Sequence, residues 1–212
     1  METSVRFPTL PIQPGIFYFG TPVVLLTTTN PDGNSNITPL SSAWALANRV
    51  VLGLANEGQG LANLQREREC VLNLPGPDLW PQVERLAPTT GRTVVPEWKR
   101  QAGYCYVGDK FALAGLTPCA AECVRPPRIA ECPLQLEARV LSIMEREVDA
   151  WVGTAGGYHI IEVEVLRTHA HADVVVPGTQ HVNPRRYRPL IYLFRHYTGT
   201  EIPLGRTFKA EV

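Results

Sequence analysis

His169, His171 and Asp173 stand at alternate positions in the run HAHAD, with His181 close behind. Period two puts both imidazoles and the carboxylate on one side of an extended chain. Two histidines and a carboxylate are the donor set of a non-haem iron centre, so a metal-dependent enzyme is one reading. The same residues at a strand end also make an ordinary solvated edge. Cys119, Cys123 and Cys132 form a second candidate cluster. They lack a fourth thiol at zinc-ribbon spacing, and buried, quiet thiols are the competing reading.

A third chemistry is suggested by what is missing. Residues 17–44, FYFGTPVVLLTTTNPDGNSNITPLSSAW, carry Asp32 as their only charged side chain. Their second half is amides, hydroxyls and one proline, a surface suited to a neutral polar ligand or simply to water. No G-x-G-x-x-G leads from a strand into a helix, and neither a G-x-x-x-x-G-K-[ST] loop nor a G-x-S-x-G elbow is present. The run GTAGG, residues 153–157, precedes a strand and reads as a turn.

The totals narrow the classes. The chain has 212 residues, 44% of them hydrophobic, with 20 basic and 20 acidic side chains. That length supports one domain with one sizeable core, spanning 1–212 with a short arm at 1–14 and a covering segment at 178–212. Zero net charge argues against nucleic-acid binding through bulk charge. No apolar run is long enough to cross a bilayer. Residues 1–15 lack an apolar signal core, and the five cysteines are odd in number, so a reduced, cytoplasmic setting is expected.

The elements that must position these groups are mostly strands. Residues 17–29 predict one strand buried on both faces, Asn30-Pro31-Asp32-Gly33 a turn, and 35–42 a return strand. A third strand is expected over 50–56. Gly58-Gln59-Gly60 opens a short helix burying Leu61 and Leu64. Residues 70–74 read as a buried strand, 78–86 as a helix capped by Asp78, and Pro96 as the start of another. In 134–144 the apolar face of Leu134, Leu136, Ala138, Val140 and Met144 opposes Gln135, Glu137 and Arg139. In 158–168, His159, Ile161, Val163 and Val165 share a face; residues 173–176 read as a further strand. Many short strands with short helices between them predict a β-barrel.

Six segments in order carry a resemblance: YFGTPVVLLTTTNPDGNSNITPLSSAW, CVLNLP, DKFALAGLT, IAECPLQLEARV, YHIIEVEVL and PLIYLFRHYTGT. Together they resemble the flavin reductase-like, FMN-binding split-barrel proteins, which include flavoredoxins and small flavin reductases. The resemblance runs from Pro14 through nearly the whole chain. It implies a mainly β fold, a six-stranded Greek-key split barrel with short peripheral helices, assembled as a homodimer.

It also implies site residues. Thr38, Pro39, Leu40, Ser41 and Ser42 would run along the flavin edge, with Asn36, Ser41, Ser42 and Trp44 as the side chains against it. Asn56, Gly58, Gln59 and Gly60 before the helix, with Asn63, would hold the phosphate at a helix start. The family commonly has Ser or Thr in this stretch, where this chain has Gln59 and Gly60. Lys110 would stabilise negative charge on the ring or the phosphate. His159 is either a flavin-lining group or a satisfied core histidine, and Tyr197 would cover the ring. No metal is expected in this reading.

The activity implied is that of an FMN oxidoreductase, with FAD as the alternative flavin and NAD(P)H as co-substrate, passing hydride to flavin N5. A flavoredoxin-like electron carrier serving an acceptor protein is a second possibility. A barrel without flavin, serving only to bind partners, is the third.

Overall fold

The computed structural model describes residues 7, 9–147 and 157–200. Half of the expected arm, the end of the covering segment and nearly all of the GTAGG turn lie outside them. In chain order the elements are β1 (Phe19–Pro22), β2 (Val24–Thr29), β3 (Ser35–Leu40), β4 (Ala43–Leu46), β5 (Arg49–Ala55), α1 (Gln59–Glu67), β6 (Glu69–Leu74), α2 (Trp80–Leu86), β7 (Thr89–Thr90), α3 (Glu97–Gln101), β8 (Cys105–Tyr106), α4 (Lys110–Ala114), β9 (Pro118–Cys119), β10 (Arg128–Ile129), β11 (Leu134–Glu147), β12 (Gly157–Ala170), β13 (Leu190–Leu193) and β14 (His196–Gly199).

The main sheet is antiparallel, with the order β3-β2-β6-β11-β12-β5-β4. Its two edge strands, β3 and β4, are consecutive in the chain, joined only by Ser41 and Ser42. A link that short spans roughly 10 Å, so the sheet must curl until its edges meet. Counted as one bent strand, β3 and β4 complete a six-stranded barrel whose ladder stays open at the corner. There the Gly53 N–H donates to the Ser42 carbonyl at 2.8 Å. A Cβ on Gly53 would lie 2.9 Å from Ser42 Cβ, so only glycine lets the corner seat on β5.

Two apolar clusters follow from the two faces of the sheet. Inside the barrel, Leu26, Leu52, Leu72, Val140, Ile161 and Val163 pack with Leu61 and Leu64 of α1. On the outer face, Leu25, Ile37, Val83, Leu86, Phe111 and Ile129 pack beneath the short helices and the 117–133 excursion. β2 contributes to both, which is why its sequence is apolar without alternation.

Several expectations change. The 17–29 run is two strands: β1 leaves the main sheet to pair with β13, and Val23 N–H donates to the Leu190 carbonyl. Asp78 lies in a 3-10 turn, Pro77–Leu79, and caps nothing. Bulges between Glu137 and Ala138 and between Val140 and Ser142 shift the β11 alternation, so Met144 turns outward. Gln135 and Glu137, expected on a polar outer face, are buried because the 117–133 excursion covers them. Residues 173–176 form a 3-10 turn, Ala172–Val174, and a single bridge from Val175 to Val182.

The excursion is pinned by polar side chains. Asn73, wholly buried, donates to the Leu25 carbonyl at 2.9 Å and accepts from Ile129 N–H at 2.8 Å. Asn73→Ala strands both groups in the core, at a cost of about 2 kcal/mol or more. A lowered urea midpoint with an unchanged slope is the expected result.

Candidate functional site

A cavity of about 290 Å³ opens where the barrel corner, the start of α1 and the 87–110 region meet. One wall is Thr38, Pro39, Leu40 and Ser42, continued by Gly53, Leu54 and Ala55. Gly58, Gln59, Gly60 and Leu61 form the floor. Ala87, Thr89, Thr90, Gly91, Trp98, Lys99, Tyr104 and Lys110 close the far side. The walls differ in chemistry. The β3 side offers hydroxyls, with Tyr18 Oη and Ser42 Oγ hydrogen-bonded at 2.7 Å. The α1 side offers backbone N–H groups, and the far side brings cations.

At the α1 end, Gly58 precedes the helix without a side-chain cap, and the first turn carries no acidic residue. The first intrahelical bond is Ala62 N–H to the Gly58 carbonyl. The N–H groups of Gln59, Gly60 and Leu61 therefore lack helical partners, at the positive end of the helix dipole. Glycine is required where the helix passes β3: a Cβ on Gly60 would lie 2.5 Å from Thr38 Oγ1. Gly91 is equally constrained, since its Cβ would meet Asn36 Oδ1 at 2.4 Å.

Two lysines are buried beside this end. Lys110 opens α4, which Asp109 caps by accepting from Ala112 N–H, and its Nζ donates to the Ile37 carbonyl at 2.8 Å. Burial, and then the charge of Lys99, lower its pKa to about 8. Lys99 Nζ donates to the Glu57 carbonyl at 2.9 Å. Burial, and then Arg92, lower its pKa against the opposing pull of Glu57. The Glu57 carboxylate is occupied by Trp98 Nε1–H. Arg92 Nε and Asn36 Oδ1 are buried without a protein partner among the described residues. Two mutually repelling lysines and three helix N–H groups without helical partners thus lie at one end of the cavity, and hydroxyls line the other.

Of the residues singled out from sequence, Thr38, Pro39, Leu40, Ser42, Gly58, Gln59, Gly60 and Lys110 line the cavity. The others do not. Asn36 lies behind the wall, its Nδ2 donating to Thr38 Oγ1. Asn63 is buried, donating to Thr28 Oγ1 and Asn30 and accepting from Gln59 Nε2. Ser41 is at the corner, outside the lining. Trp44 is 60% exposed, on a separate apolar groove. His159 and Asn56 satisfy one another: His159 Nδ1–H donates to Asn56 Oδ1 at 2.8 Å, the arrangement of a satisfied core histidine. Tyr197 sits off the cavity with its hydroxyl on Glu84.

His169 and His171 do not converge. His169 Nε2–H donates to the buried carboxylate of Glu137 at 2.7 Å, and His171 Nε2–H to the Ala130 carbonyl at 2.8 Å. Cys132 is buried, whereas Cys119 and Cys123 are half-buried, so the expectation of buried thiols holds for only one of the three. No group of three or more His, Cys, Asp or Glu among the described residues is arranged to hold a metal ion.

Sequence reasoning missed Tyr18, Thr89, Thr90, Gly91, Trp98, Lys99 and Tyr104. Lys110 is marked by its place in the DKFALAGLT segment, and no such segment carries Lys99.

The chain belongs to the family of the flavin reductase like domain, whose model matches residues 16–201. It is 44% identical over 200 residues to the protein YdfE of Bacillus subtilis (strain 168), covering 94% of this chain and 93% of that one. By structure it resembles the flavoredoxin of Desulfovibrio vulgaris (Miyazaki F), with a TM-score of 0.71, 17% identity and 99% of each chain covered. Nitrilotriacetate monooxygenase component B from Bacillus cereus aligns with a TM-score of 0.70 and 16% identity, over 96% of this chain and 100% of that one.

The lowered Lys110 pKa carries a sign. Between pH 8 and the ordinary lysine value, the unfolded chain binds a proton that the folded one releases, so this group makes the ligand-free protein more stable as pH rises through that window. In NMR of protein labelled at lysine Cε, Lys110 is expected to titrate near pH 8. Saturating inorganic phosphate should move that midpoint upward.

Proposed function

We propose that this protein is an FMN-binding oxidoreductase that takes hydride from NAD(P)H, a flavin reductase. The observation that carries the reading is the cavity's division into a cationic, N–H-rich end and a neutral, hydroxyl-bearing slot. A flavin mononucleotide has the same division, with a phosphate dianion on a ribityl chain and an uncharged ring edged with carbonyls and nitrogens.

The unpartnered Arg92 Nε–H, next to the cavity-lining Gly91, and the glycine-lined approach fit the phosphorylated tail. The N–H groups of Gln59, Gly60 and Leu61, with Lys99, Lys110 and Arg92, would hold the phosphate. Thr38 and the wall through Ser42 would take the ring edge. Flavin, when bound, supplies hydride acceptance at N5 and onward electron transfer. The chain's own part is to bind, orient and shield. Pro39 removes one backbone donor and stiffens the wall. Leu40, Leu54 and Leu61 exclude water. The Lys110 ammonium disfavours loss of negative charge from whatever lies in the cavity. FMN is preferred to FAD because no separate adenosine-binding unit is visible in the sequence. Five unpaired cysteines are consistent with a reduced, cytoplasmic setting.

A second copy is the occupant we assign to the apolar face around Trp44. Trp44, Leu46 and Phe19 are each more than half exposed, beside a groove lined by Pro22, Leu74 and Leu136. A two-fold axis through this patch would bury it against the same patch of a second copy. Sedimentation equilibrium should return a dimer, and Trp44→Glu should return a monomer.

FMN titration is expected to quench flavin fluorescence with one site per chain. Gly60→Ala should weaken binding by about 100-fold or more, because its new methyl group displaces Thr38. Anaerobic mixing of the holoprotein with NADH or NADPH should bleach the flavin within seconds. Tight binding without bleaching identifies the electron carrier instead, and no binding overturns the flavin reading.

A further inference from the structure

Four aromatic rings run from the cavity to the surface. Tyr18 lines the cavity. Its ring centroid is 5.3 Å from that of Tyr192, edge-on. Tyr192 is 5.6 Å from Tyr197, and Tyr197 is 6.3 Å from Trp80. Trp80 is 51% exposed. The arrangement is built by the small sheet β1-β13-β14, in which Tyr192 and Tyr197 are directly opposed across the strand pair. Tyr18 is held beside them because its carbonyl accepts from Phe194 N–H at 2.7 Å. Trp80 comes from the start of α2. Aromatic pairs at such separations are ordinary packing; a continuous file of four, with one end in a cavity and the other in water, is not required by packing.

Proton chemistry accompanies the file. A phenol loses an electron readily only when its proton has somewhere to go. Tyr197 Oη–H donates to Glu84 Oε2 at 3.0 Å, which gives it a carboxylate base. Tyr18 Oη shares a hydrogen bond with Ser42 Oγ. Trp98 and Tyr104 also line the cavity; Trp98 carries the Lys99 ammonium 5.2 Å from its ring centroid, a charge that opposes formation of a cationic ring.

We propose that Tyr18, Tyr192, Tyr197 and Trp80 form a path that carries one-electron oxidising equivalents out of the cavity to the surface, with Glu84 as proton acceptor for Tyr197. The proposal rests on the flavin reading above. The oxidant is a light-excited flavin ring. Tyr197 gives it one electron, which passes through the rings of Tyr192 and Tyr18, as the phenolic proton of Tyr197 passes to Glu84. Trp80 then supplies the last electron, Glu84 returns the proton to Tyr197, and the Trp80 indole N–H proton goes to water. The net change is one electron gained in the cavity, and one electron and one proton lost from Trp80.

The test uses FMN-loaded protein in a Trp98→Phe/Tyr104→Phe background, excited anaerobically with a blue flash and followed by transient absorption and electron paramagnetic resonance. A fluorescence titration first establishes that FMN is bound. A tryptophanyl radical is expected. Adding Trp80→Phe should abolish it and leave a tyrosyl signal, while Trp80→Tyr should replace it with a second tyrosyl radical. Tyr197→Phe should also abolish it, at unchanged FMN affinity. Glu84→Gln, which keeps a hydrogen-bond acceptor but removes the base, should lower its yield at least about tenfold. Bound FMN with no amino-acid radical, or a tryptophanyl signal that survives Trp80→Phe, overturns the path but not the flavin reading. Failure to bind FMN overturns both.

Discussion

The two-residue link between β3 and β4 is the constraint on which the rest of the molecule depends. It obliges the two edges of one sheet to meet, and that meeting creates the barrel, its apolar interior and the corner that walls the cavity. Gly53 makes the corner possible by carrying no side chain where Ser42 packs. β5, which holds Gly53, then delivers the chain directly into Glu57 and the uncapped start of α1. The hydroxyl wall and the helix N–H groups are thus two consequences of one closure.

The far side of the cavity has a different origin. It is made by chain outside the barrel, where α3 and α4 bring in Lys99 and Lys110. Glu57 ties this layer down through its carbonyl and its carboxylate, and adopts a left-handed backbone (φ 61°) to do so. Burying two ammonium groups near one another and near Arg92 is unfavourable in the ligand-free protein, and the depressed lysine pKa values express that cost. In the reading proposed above, a dianion would relieve it, so the same electrostatics that lower ligand-free stability would favour binding.

The small sheet and the excursion over Glu137 follow the same plan of adding layers to the barrel. Glu137 is wholly buried, yet accepts from Glu122 N–H, Cys123 N–H and His169. Burial raises its pKa, and these donors outweigh burial to hold its carboxyl below the usual value. Here a histidine in a metal-like spacing serves to fasten a loop. On the opposite side, β13 and β14 bring Tyr192 and Tyr197 against Tyr18, converting a C-terminal segment into a neighbour of the cavity.

Patterns local to one strand or one turn were legible in the sequence. The apolar character of 17–29, though not its break into two strands, the alternation in 158–168, the helix opening at Gly58 and the polar return at 35–42 all rest on period, glycine and side-chain size, which a chain carries with it. Their order sufficed to suggest the family. What only the tertiary structure decided is where distant segments meet. Nothing near Trp98, Lys99 or Tyr104 in the chain marks them as facing Gly60. The match between His159 and Asn56, the tie between Glu137 and His169 and the removal of Tyr197 from the cavity each depend on a partner tens of residues away, and the burial of Gln135 on the fold-back of the preceding excursion. The physical reason is that a side chain's role is set by its neighbours in space, and a sheet whose edges are joined by two residues chooses those neighbours by closing.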